Sequence, residues 1–388
     1  MSVADPAHFD VLVLGVGGMG AAALAHLASR GARVAGVEQH SVPNDRGSST
    51  GETRVIRKAY FEDPRYVPLI ERAYTLWNEL EKHTGDELLV RTGCLNFGPA
   101  DHVAIRGVRD SVALHGLPHD TLDEDAIGAR FPAFLPADGD VGIFEEDGGF
   151  LRVEACTDAH ARRAVEAGAL LLTGRRVVTL DVTERLVTAH LDDGAVLSAD
   201  RVVVSAGPWL ASTPALAPVA ARLPLRVTRQ VQLYFRPEDP EIVAAESMPV
   251  FIHFDGDRAF YGVPLHGENG AEPALKVCQH GGGDLVTSPD DLDREVHERD
   301  IAPVRDWMRD HLPDGDGELV RARVCMYTST PDGHFVVGAL RAMPNVIVLG
   351  GFSGHGYKMA PVIGEIAADL AMGRASPFDI GLFSPARF

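Results

Sequence analysis

Three glycines near the N-terminus have the spacing that a bound dinucleotide requires. Gly15, Gly17 and Gly20 form a G-x-G-x-x-G pattern within FDVLVLGVGGMGAAALAHLASRG. The first glycine permits a tight turn, the second lets the backbone approach a pyrophosphate, and the third lets a helix pack closely on a strand. The pyrophosphate would meet the free N–H groups and the positive dipole at the N-terminus of that helix.

The elements around these glycines match a strand–turn–helix–strand unit. The apolar run 10–14 predicts the first strand, the Ala- and Leu-rich run 21–29 predicts the helix, and ARVAGVE predicts the second strand, which ends at Glu38. A carboxylate at that point can accept hydrogen bonds from ribose hydroxyls and disfavours a 2′-phosphate. NAD or FAD is therefore expected rather than NADP, and this unit leaves the choice between them open.

Cysteine is the next residue type with possible chemistry. The chain has four, Cys94, Cys156, Cys278 and Cys325, and no two form a C-x-x-C pair, so neither a zinc site nor a thioredoxin-like motif is expected. Cys325 stands directly before Met-Tyr-Thr and a Pro-Asp-Gly turn. Its thiol either fills space in a strand or reacts.

Several basic side chains lie in settings that could hold an anion. Arg54 and Arg57 occur in TRVIRK, Lys358 follows a glycine-rich bend, and Lys276 is flanked by Leu275 and Val277. Converging cations bind a carboxylate well when the rest of the site is apolar. The alternatives are a solvated basic patch for the arginines and, for Lys276, a strand lysine with its tip in solvent.

Composition restricts the class of protein. The formal charge is 36 − 55 = −19, which gives no net positive field for nucleic acid. No apolar run reaches the length of a membrane span, and MSVADPAHFD lacks the basic and apolar regions of a signal peptide. We expect a cytoplasmic protein with no membrane or nucleic-acid partner.

The chain length of 388 residues and its 40 glycines favour an α/β protein with two domains. Later strand patterns at 200–209 and 345–350, the second followed by a helix, predict that the nucleotide domain is discontinuous. We assign residues 1–85, 150–220 and 325–388 to a discontinuous Rossmann-like dinucleotide-binding domain, which the family resemblance described next makes an FAD-binding domain. Residues 86–149 and 221–324 are expected to form a substrate domain with a mixed or antiparallel sheet that covers the bound dinucleotide.

Five segments, in order along nearly the whole chain, resemble the monomeric sarcosine oxidase family. These FAD-dependent amine oxidases include N-methyltryptophan oxidase and pipecolate oxidase. The segments are GSSTGETRVIRKAY, YVPLIERAYTLWNELE, ALKVCQH, VCMYTSTPDGHFVVG and GGFSGHGYKMA. The resemblance implies oxidation of a secondary-amine amino acid to an imine, with O2 reduced to hydrogen peroxide, by a monomer.

The resemblance also implies roles for individual residues. Cys325 would carry FAD through a thioether to the 8α-methyl carbon, Arg57 and Lys358 would bind the substrate carboxylate, and Arg54 would lie beside the flavin ring. Lys276 would activate oxygen.

Further residues would complete the site. His280 would line the substrate pocket, with Tyr261 and Tyr327 beside it unless they pack in the core. Gly354 and His355 would lie in the loop near the flavin, where the histidine could instead hold the bend.

Substrate identity is less determined than flavin chemistry. RGSS, IRKAY and RDHLPD favour the cyclic pipecolate branch over N-methyl substrates, but the segment 251–262 differs from family members. Residues 49–53, Ser-Thr-Gly-Glu-Thr, also lack a His-His pair that is usual in the sarcosine and methyltryptophan branches. Two alternative functions stay open, an NAD-dependent dehydrogenase and a non-catalytic FAD-binding regulatory protein.

Overall fold

A computed structural model describes residues 7–268 and 270–388. Residues 1–6 lie outside the described residues. They begin the predicted FAD domain, and they belong to the segment in which no signal peptide is expected. The described chain forms two eight-stranded sheets and one three-stranded sheet, with helices packed on them. The predicted α/β class is confirmed. No helix in the described ranges is long and apolar enough to cross a membrane.

The strands of the described chain are numbered in sequence order. They are β1 Ala7–Leu14, β2 Val34–Glu38, β3 Thr53–Ile56, β4 Leu89–Arg91, β5 Cys94–Pro99, β6 Asp120–Asp123, β7 Asp140–Glu145, β8 Gly149–Arg152, β9 Leu170–Thr173, β10 Val177–Val182, β11 Val187–Leu191, β12 Val196–Val204, β13 Arg226–Arg236, β14 Val250–Asp255, β15 Arg258–His266, β16 Ala274–His280, β17 Glu318–Ser329, β18 Val336–Leu340 and β19 Met343–Gly350.

The helices are numbered in the same way. They are α1 Gly18–Ser29, α2 Val67–Thr84, α3 Val103–His115, α4 Glu124–Arg130, α5 Val153–Glu166, α6 Ala217–Ala220, α7 Glu298–His311 and α8 Ala360–Ala371. Short 3₁₀ segments occupy Pro64–Tyr66, Gly207–Ala211, Pro214–Leu216, Pro289–Asp291, Pro313–Gly315, Tyr357–Met359, Gly381–Phe383 and Pro385–Arg387.

The first sheet is a parallel core built from distant parts of the chain. β9, β2, β1, β12 and β19 lie side by side and parallel, β10 and β11 extend the sheet beside β12, and β18 pairs antiparallel with β19. β1 is apolar at successive positions because both of its faces are covered. Val11 and Val13 face the core under α1 and α8, whereas Leu12 and Leu14 face the core on the other side.

The second sheet has the order β17-β13-β16-β15-β14-β5-β7-β6. Its pairs are antiparallel except for β14 with β5, so the predicted mixed sheet is present. One face packs on α7, where Phe251 and Phe260 stack against Trp307. The other face packs against the loop that contains Thr50 and Gly51 and carries the polar residues described below.

One predicted boundary needs correction. β17 runs without interruption from Glu318 to Ser329 in the second sheet, so a domain boundary at residue 325 would cut a strand. The segment 325–329 therefore belongs with the second sheet, because its backbone hydrogen bonds go to β13. The C-terminal return to the first sheet begins at β18.

Candidate active site

A large cleft lies at the carboxyl ends of the parallel strands, where a doubly wound sheet usually binds its ligand. It encloses about 1440 Å³ of empty space, including solvent at its mouth. The glycine-rich turn and Glu38 line one part of this large cleft, and Arg54, Tyr327 and Gly354 line another.

The glycine-rich turn has the close packing that its spacing predicted. Gly15 has φ +88°, and a Cβ at Gly20 would lie 1.9 Å from the Gly15 carbonyl oxygen, so only glycine fits there. α1 begins at Gly18, and its N-cap residue, Gly17, has no capping side chain. The Gly18 N–H donates to Ser49 Oγ over 3.2 Å. The helix N-terminus at the large cleft is thus suited to an anionic pyrophosphate.

Polar groups at the other side of this turn fit an adenosine. The Glu38 carboxylate accepts from the N–H groups of Val16 and His40, at 2.8 Å and 2.9 Å. A carboxylate has about four acceptor positions, so Glu38 can also accept from ribose hydroxyls. His40 Nε2 is buried at the large cleft and has no hydrogen-bond partner among the described residues. These residues therefore fit a dinucleotide that the fold implies.

A small cavity of about 620 Å³ adjoins the large cleft. The residues common to both are Arg54, Tyr327, Gly354 and Tyr357. The small cavity is further lined by Val55, Arg57, Phe61, Glu62, Ile252, Ala259, Tyr261, His280, His355 and Lys358. The small cavity therefore brings together the three residues predicted to bind the substrate, Arg57, Lys358 and Tyr261. It also includes His280.

Arg57 forms a buried ion pair at the small cavity. Its side chain is 2% exposed, and its Nη2 donates to Glu62 Oε2 over 2.9 Å. The guanidinium also lies over the rings of Tyr60 and Phe61, at 4.6 Å and 4.4 Å from their centroids. Its Nε is buried without a partner among the described residues. Arg57 therefore keeps an unused donor in addition to its pair with Glu62.

Lys358 supplies a second basic group to the same cavity. Its Nζ donates to the His355 carbonyl over 2.8 Å and to the Tyr60 hydroxyl over 3.4 Å. Burial, reinforced by the charge of Arg57, lowers the pKa of Lys358 to about 7. Burial would raise the pKa of Glu62, but Arg57, His355 and Lys358 outweigh it and hold that pKa at about 2.

His355 lines the small cavity and is not among the described residues lining the large cleft, in which we had expected it. Its Nε2 lies 3.0 Å from the Gly333 carbonyl, which can only accept, so Nε2 carries the hydrogen. Burial lowers the pKa of His355 to about 4, which keeps the ring neutral. Gly354, at φ +80°, lines both cavities, and a Cβ added at this position would collide with the Tyr327 ring.

Strand register places five predicted site residues on one face of the second sheet. Side chains of a strand alternate between faces. Tyr261 pairs with Cys278, which lies two residues after Lys276 and two residues before His280. Thr228 on β13 pairs with Tyr327 on β17. The residues of that face are Tyr261, Lys276, His280, Cys325 and Tyr327. His280 Nδ1 lies 3.2 Å from the Tyr327 hydroxyl, and burial lowers the pKa of His280.

Lys276 lies behind the cavity walls and lines neither cavity. The side chain is buried, and its Nζ donates to the Gly51 carbonyl over 2.8 Å and the Thr53 carbonyl over 3.0 Å. Burial, with the charge of Arg54, lowers the pKa of Lys276 to about 8. Arg54 itself lines both cavities and donates to the Thr53 and Ser48 carbonyls. The loop 48–53 thus holds both cations.

The Cys325 thiol is also buried, with 2% of the residue exposed, and it does not line either cavity. The next two residues, Met326 and Tyr327, do line the large cleft. The Gln232 amide Nε2 donates to Cys325 Sγ over 3.2 Å. The other three cysteines are buried and free.

Sequence reasoning missed three residues of this site. Glu62 gave no signal, because an acidic residue after Phe61 is ordinary in a loop. Tyr357 gave no signal, because a tyrosine beside Lys358 is typical of core packing. Its hydroxyl lies 2.9 Å from Thr157 Oγ1. Gln232 gave a weak signal, since RQVQLYF alternates polar and apolar residues in a buried strand.

Comparison with known proteins identifies the type of dinucleotide protein. Residues 10–370 match the model of the DAO family, described as FAD dependent oxidoreductase. The chain belongs to that family. It is 37% identical over 382 residues to monomeric sarcosine oxidase of Streptomyces avermitilis, covering 98% of this chain and 97% of the relative.

Other relatives of this FAD dependent oxidoreductase agree. N-methyl-L-tryptophan oxidase of Salmonella enteritidis is 35% identical over 383 residues, covering 98% of this chain and 99% of the relative. Among solved structures, NikD, named as an unusual amino acid oxidase essential for nikkomycin biosynthesis, has a TM-score of 0.85 at 26% identity, covering 98% of each chain. These matches confirm the predicted family resemblance and favour FAD over NAD.

Proposed function

We propose that the protein oxidises a secondary-amine amino acid at the carbon–nitrogen bond, giving an imine and passing two electrons to O2 to form hydrogen peroxide. The observation that carries this proposal is the placement of Arg57 and Lys358 on one small cavity that meets the large cleft at Arg54 and Tyr327. Two basic groups there suit a carboxylate, and the adjoining cleft suits FAD.

The residues of this chain bind and orient the substrate. Arg57 and Lys358 attract its carboxylate, while Phe61, Ile252 and Ala259 give apolar contact to its carbon atoms. Neutral His280 lies beside Tyr327 where the small cavity meets the large cleft, and there it can accept a hydrogen bond from the substrate amine. Bound FAD would supply the acceptor for the hydride equivalent.

Lys276 is proposed to serve oxygen. A buried cation behind the wall of the cleft would stabilise the negative charge that develops on O2 as it accepts the first electron. With a pKa of about 8, Lys276 is mostly protonated at neutral pH. Its two carbonyl acceptors, at Gly51 and Thr53, support the charged form.

Cys325 is proposed to attach FAD covalently. The family resemblance supports this, together with the position of Cys325 directly before Met326 and Tyr327 at the large cleft. Trichloroacetic acid should leave the yellow colour in the protein pellet, and Cys325→Ala should move it to the supernatant. Wild-type flavin found entirely in the supernatant would contradict the attachment.

The substrate is proposed to carry a free α-carboxylate and either an N-methyl group or a ring such as that of pipecolate. An N-methyl substrate would yield formaldehyde after its imine is hydrolysed, whereas a cyclic substrate would yield a cyclic imine without formaldehyde. We propose that the enzyme acts as a monomer in the cytoplasm.

A substrate screen tests this function directly. N-methyl amino acids of increasing size, proline and pipecolate would be compared by peroxide release, with formaldehyde measured in parallel. Arg57→Ala should weaken substrate binding by about 1.5–3 kcal/mol, the usual value for a hydrogen bond to a charged group. The assignment would be contradicted if amines without a carboxylate were oxidised as well as amino acids and Arg57→Ala bound the substrate as tightly as the wild type. Bound flavin that no amine reduces would favour the non-catalytic alternative.

A further inference from the structure

Gln232 lies between the cysteine and the loop that holds Lys276. It is 1% exposed, on the face of β13 shared with Cys325. Its Nε2 lies 3.2 Å from Cys325 Sγ and 3.4 Å from the Thr50 carbonyl, and its Oε1 lies 3.1 Å from the Tyr234 hydroxyl. All three polar positions of the amide are thus directed at fixed partners.

The partners determine which way the amide faces. The Thr50 carbonyl can only accept, so the amide atom beside it must be the NH2 group. Burial raises the pKa of Tyr234 well above its ordinary value, so its hydroxyl keeps its single hydrogen, which Gln232 Oε1 at 3.1 Å and the Gly51 carbonyl at 2.9 Å share as acceptors. The remaining N–H of Gln232 therefore points at Cys325 Sγ as a donor.

The loop 48–53 packs closely against the Gln232 side chain. Gly51 has φ +93°, and a Cβ there would lie 1.8 Å from Gln232 Oε1. The Gly51 carbonyl accepts from both Lys276 and Tyr234. Glu154 in turn accepts from the Gly51 N–H over 2.8 Å. Gln232 is held from three sides and cannot turn away from the sulphur without disturbing this loop.

We propose that Gln232 is a positioning residue for covalent flavin attachment, whose amide N–H orients Cys325 Sγ and stabilises its ionised form. This inference rests on the proposed attachment at Cys325. An N–H donor favours an ionised acceptor over a neutral one, and the thiolate is the reactive form of cysteine. The charges of Arg54, Lys276 and Arg294 also act on Cys325. Gln232 Nε2 is the side-chain donor that lies within hydrogen-bond distance of Sγ among the described residues.

The attachment step balances with oxygen as the oxidant. The Cys325 sulphur forms a bond to the 8α carbon, which replaces one C–H bond of that methyl group. The thiol and the methyl group each release one proton, and two electrons pass to the flavin ring. Oxygen then takes those two electrons with two protons and leaves as hydrogen peroxide.

The test follows the rate of attachment rather than turnover. Full-length protein made in flavin-depleted cells would be mixed with FAD and O2 at several pH values. Flavin in the acid pellet measures attachment, and flavin in the supernatant measures reversible binding. Gln232→Leu should still bind FAD but attach it at least roughly tenfold more slowly, as expected for loss of one hydrogen bond to a charged acceptor.

Gln232→Glu keeps the shape but places a carboxylate beside the sulphur. It should slow attachment at neutral pH and move the midpoint of the rate–pH profile upward, with recovery in alkaline solution. Gln230→Leu is the matched control, because Gln230 lies on the same strand face but donates to Thr228 Oγ1 instead. It should attach FAD at the wild-type rate.

The outcomes separate the two proposals. If wild-type protein attaches FAD and both Gln232 variants match its rate and pH profile, the positioning role is wrong and the attachment at Cys325 stands. If wild-type flavin never enters the pellet, both proposals fail. If Gln232→Leu does not bind FAD, the pH profile of Gln232→Glu decides the matter.

Discussion

Glu62 Oε2 forms an ion pair with Arg57 Nη2 over 2.9 Å, at the point where the substrate carboxylate is proposed to bind. An internal carboxylate is therefore already present among the basic groups of the small cavity. With a pKa of about 2, Glu62 is ionised at every working pH. It lowers the positive charge that an incoming carboxylate meets, and it holds Arg57 when no substrate is bound.

Replacing Glu62 by glutamine should strengthen the binding of a carboxylate. The variant Glu62→Gln removes one negative charge from a buried site. In mildly acidic solution, where Lys358 stays protonated, we expect roughly tenfold tighter binding of propionate, a carboxylate without an amine, because repulsion between like charges at this range costs about 1–3 kcal/mol. Titration of the flavin spectrum would measure the dissociation constant. Asp63→Asn is the control, since Asp63 pairs with Arg65 outside the small cavity. Unchanged affinity in Glu62→Gln would show that Glu62 does not oppose the ligand.

The affinity for propionate should also depend on pH through Lys358. This lysine is protonated below its pKa of about 7 and loses its charge as the pH rises through that value. Binding should therefore be strongest in mildly acidic solution and weaken above neutral pH, with bound carboxylate moving the midpoint upward. Propionate avoids the opposite effect of deprotonating a substrate amine.

Two variants isolate the contribution of Lys358. Lys358→Met should bind propionate weakly and without this pH dependence, and Lys358→Arg should retain binding in alkaline solution because arginine stays charged. A wild-type pH profile in Lys358→Met would assign the titration to another group. Glu62→Gln should move the midpoint downward, because the Glu62 charge raises the pKa of Lys358.

Lys276 and Lys358 should affect opposite halves of the reaction. Lys276→Met should leave anaerobic flavin reduction largely intact and slow reoxidation by orders of magnitude, because a preorganised charge contributes several kcal/mol to such a step. Lys358→Met should show the reverse pattern, with weak substrate binding and normal reoxidation. Stopped-flow measurement of each half-reaction distinguishes them. Equal loss of both halves in Lys276→Met would give that lysine a different role.

The packing at Gly20 makes a prediction about cofactor binding. Gly20→Ala should abolish tight FAD binding and lower the melting temperature, since its Cβ would lie 1.9 Å from the Gly15 carbonyl oxygen. Gly128→Ala in α4 is the control, because no atom lies within 4 Å of a Cβ there. That substitution should keep the flavin and stabilise the helix by up to about 1 kcal/mol. Full flavin content in Gly20→Ala would contradict the geometry of the turn.

The sequence by itself determined the nucleotide-binding unit. Its signals are local: glycines at fixed spacing, an apolar strand before them and an acidic residue after the second strand. Each depends on backbone sterics within about thirty residues, and the structure places them as predicted. The type of cofactor came from resemblance, since these local rules serve NAD and FAD alike.

Tertiary structure alone decided which side chains meet. Arg57 and Lys358 are separated by most of the chain, and strand register selects Lys276, His280 and Cys325 for one face of a sheet whose strands are not consecutive. Pairing partners so far apart in sequence leave no local pattern. The boundary at residue 325 failed for the same reason, because hydrogen bonds to β13 fix the extent of β17.

The pairing of Arg57 with Glu62 and of Gln232 with Cys325 also required the folded chain. An ion pair or a hydrogen bond in a buried site depends on distance, desolvation and the remaining partners of each atom. The residue types along the chain specify none of these. Composition and spacing therefore identified the groups capable of chemistry, and packing decided which of them are held together and in which ionisation state.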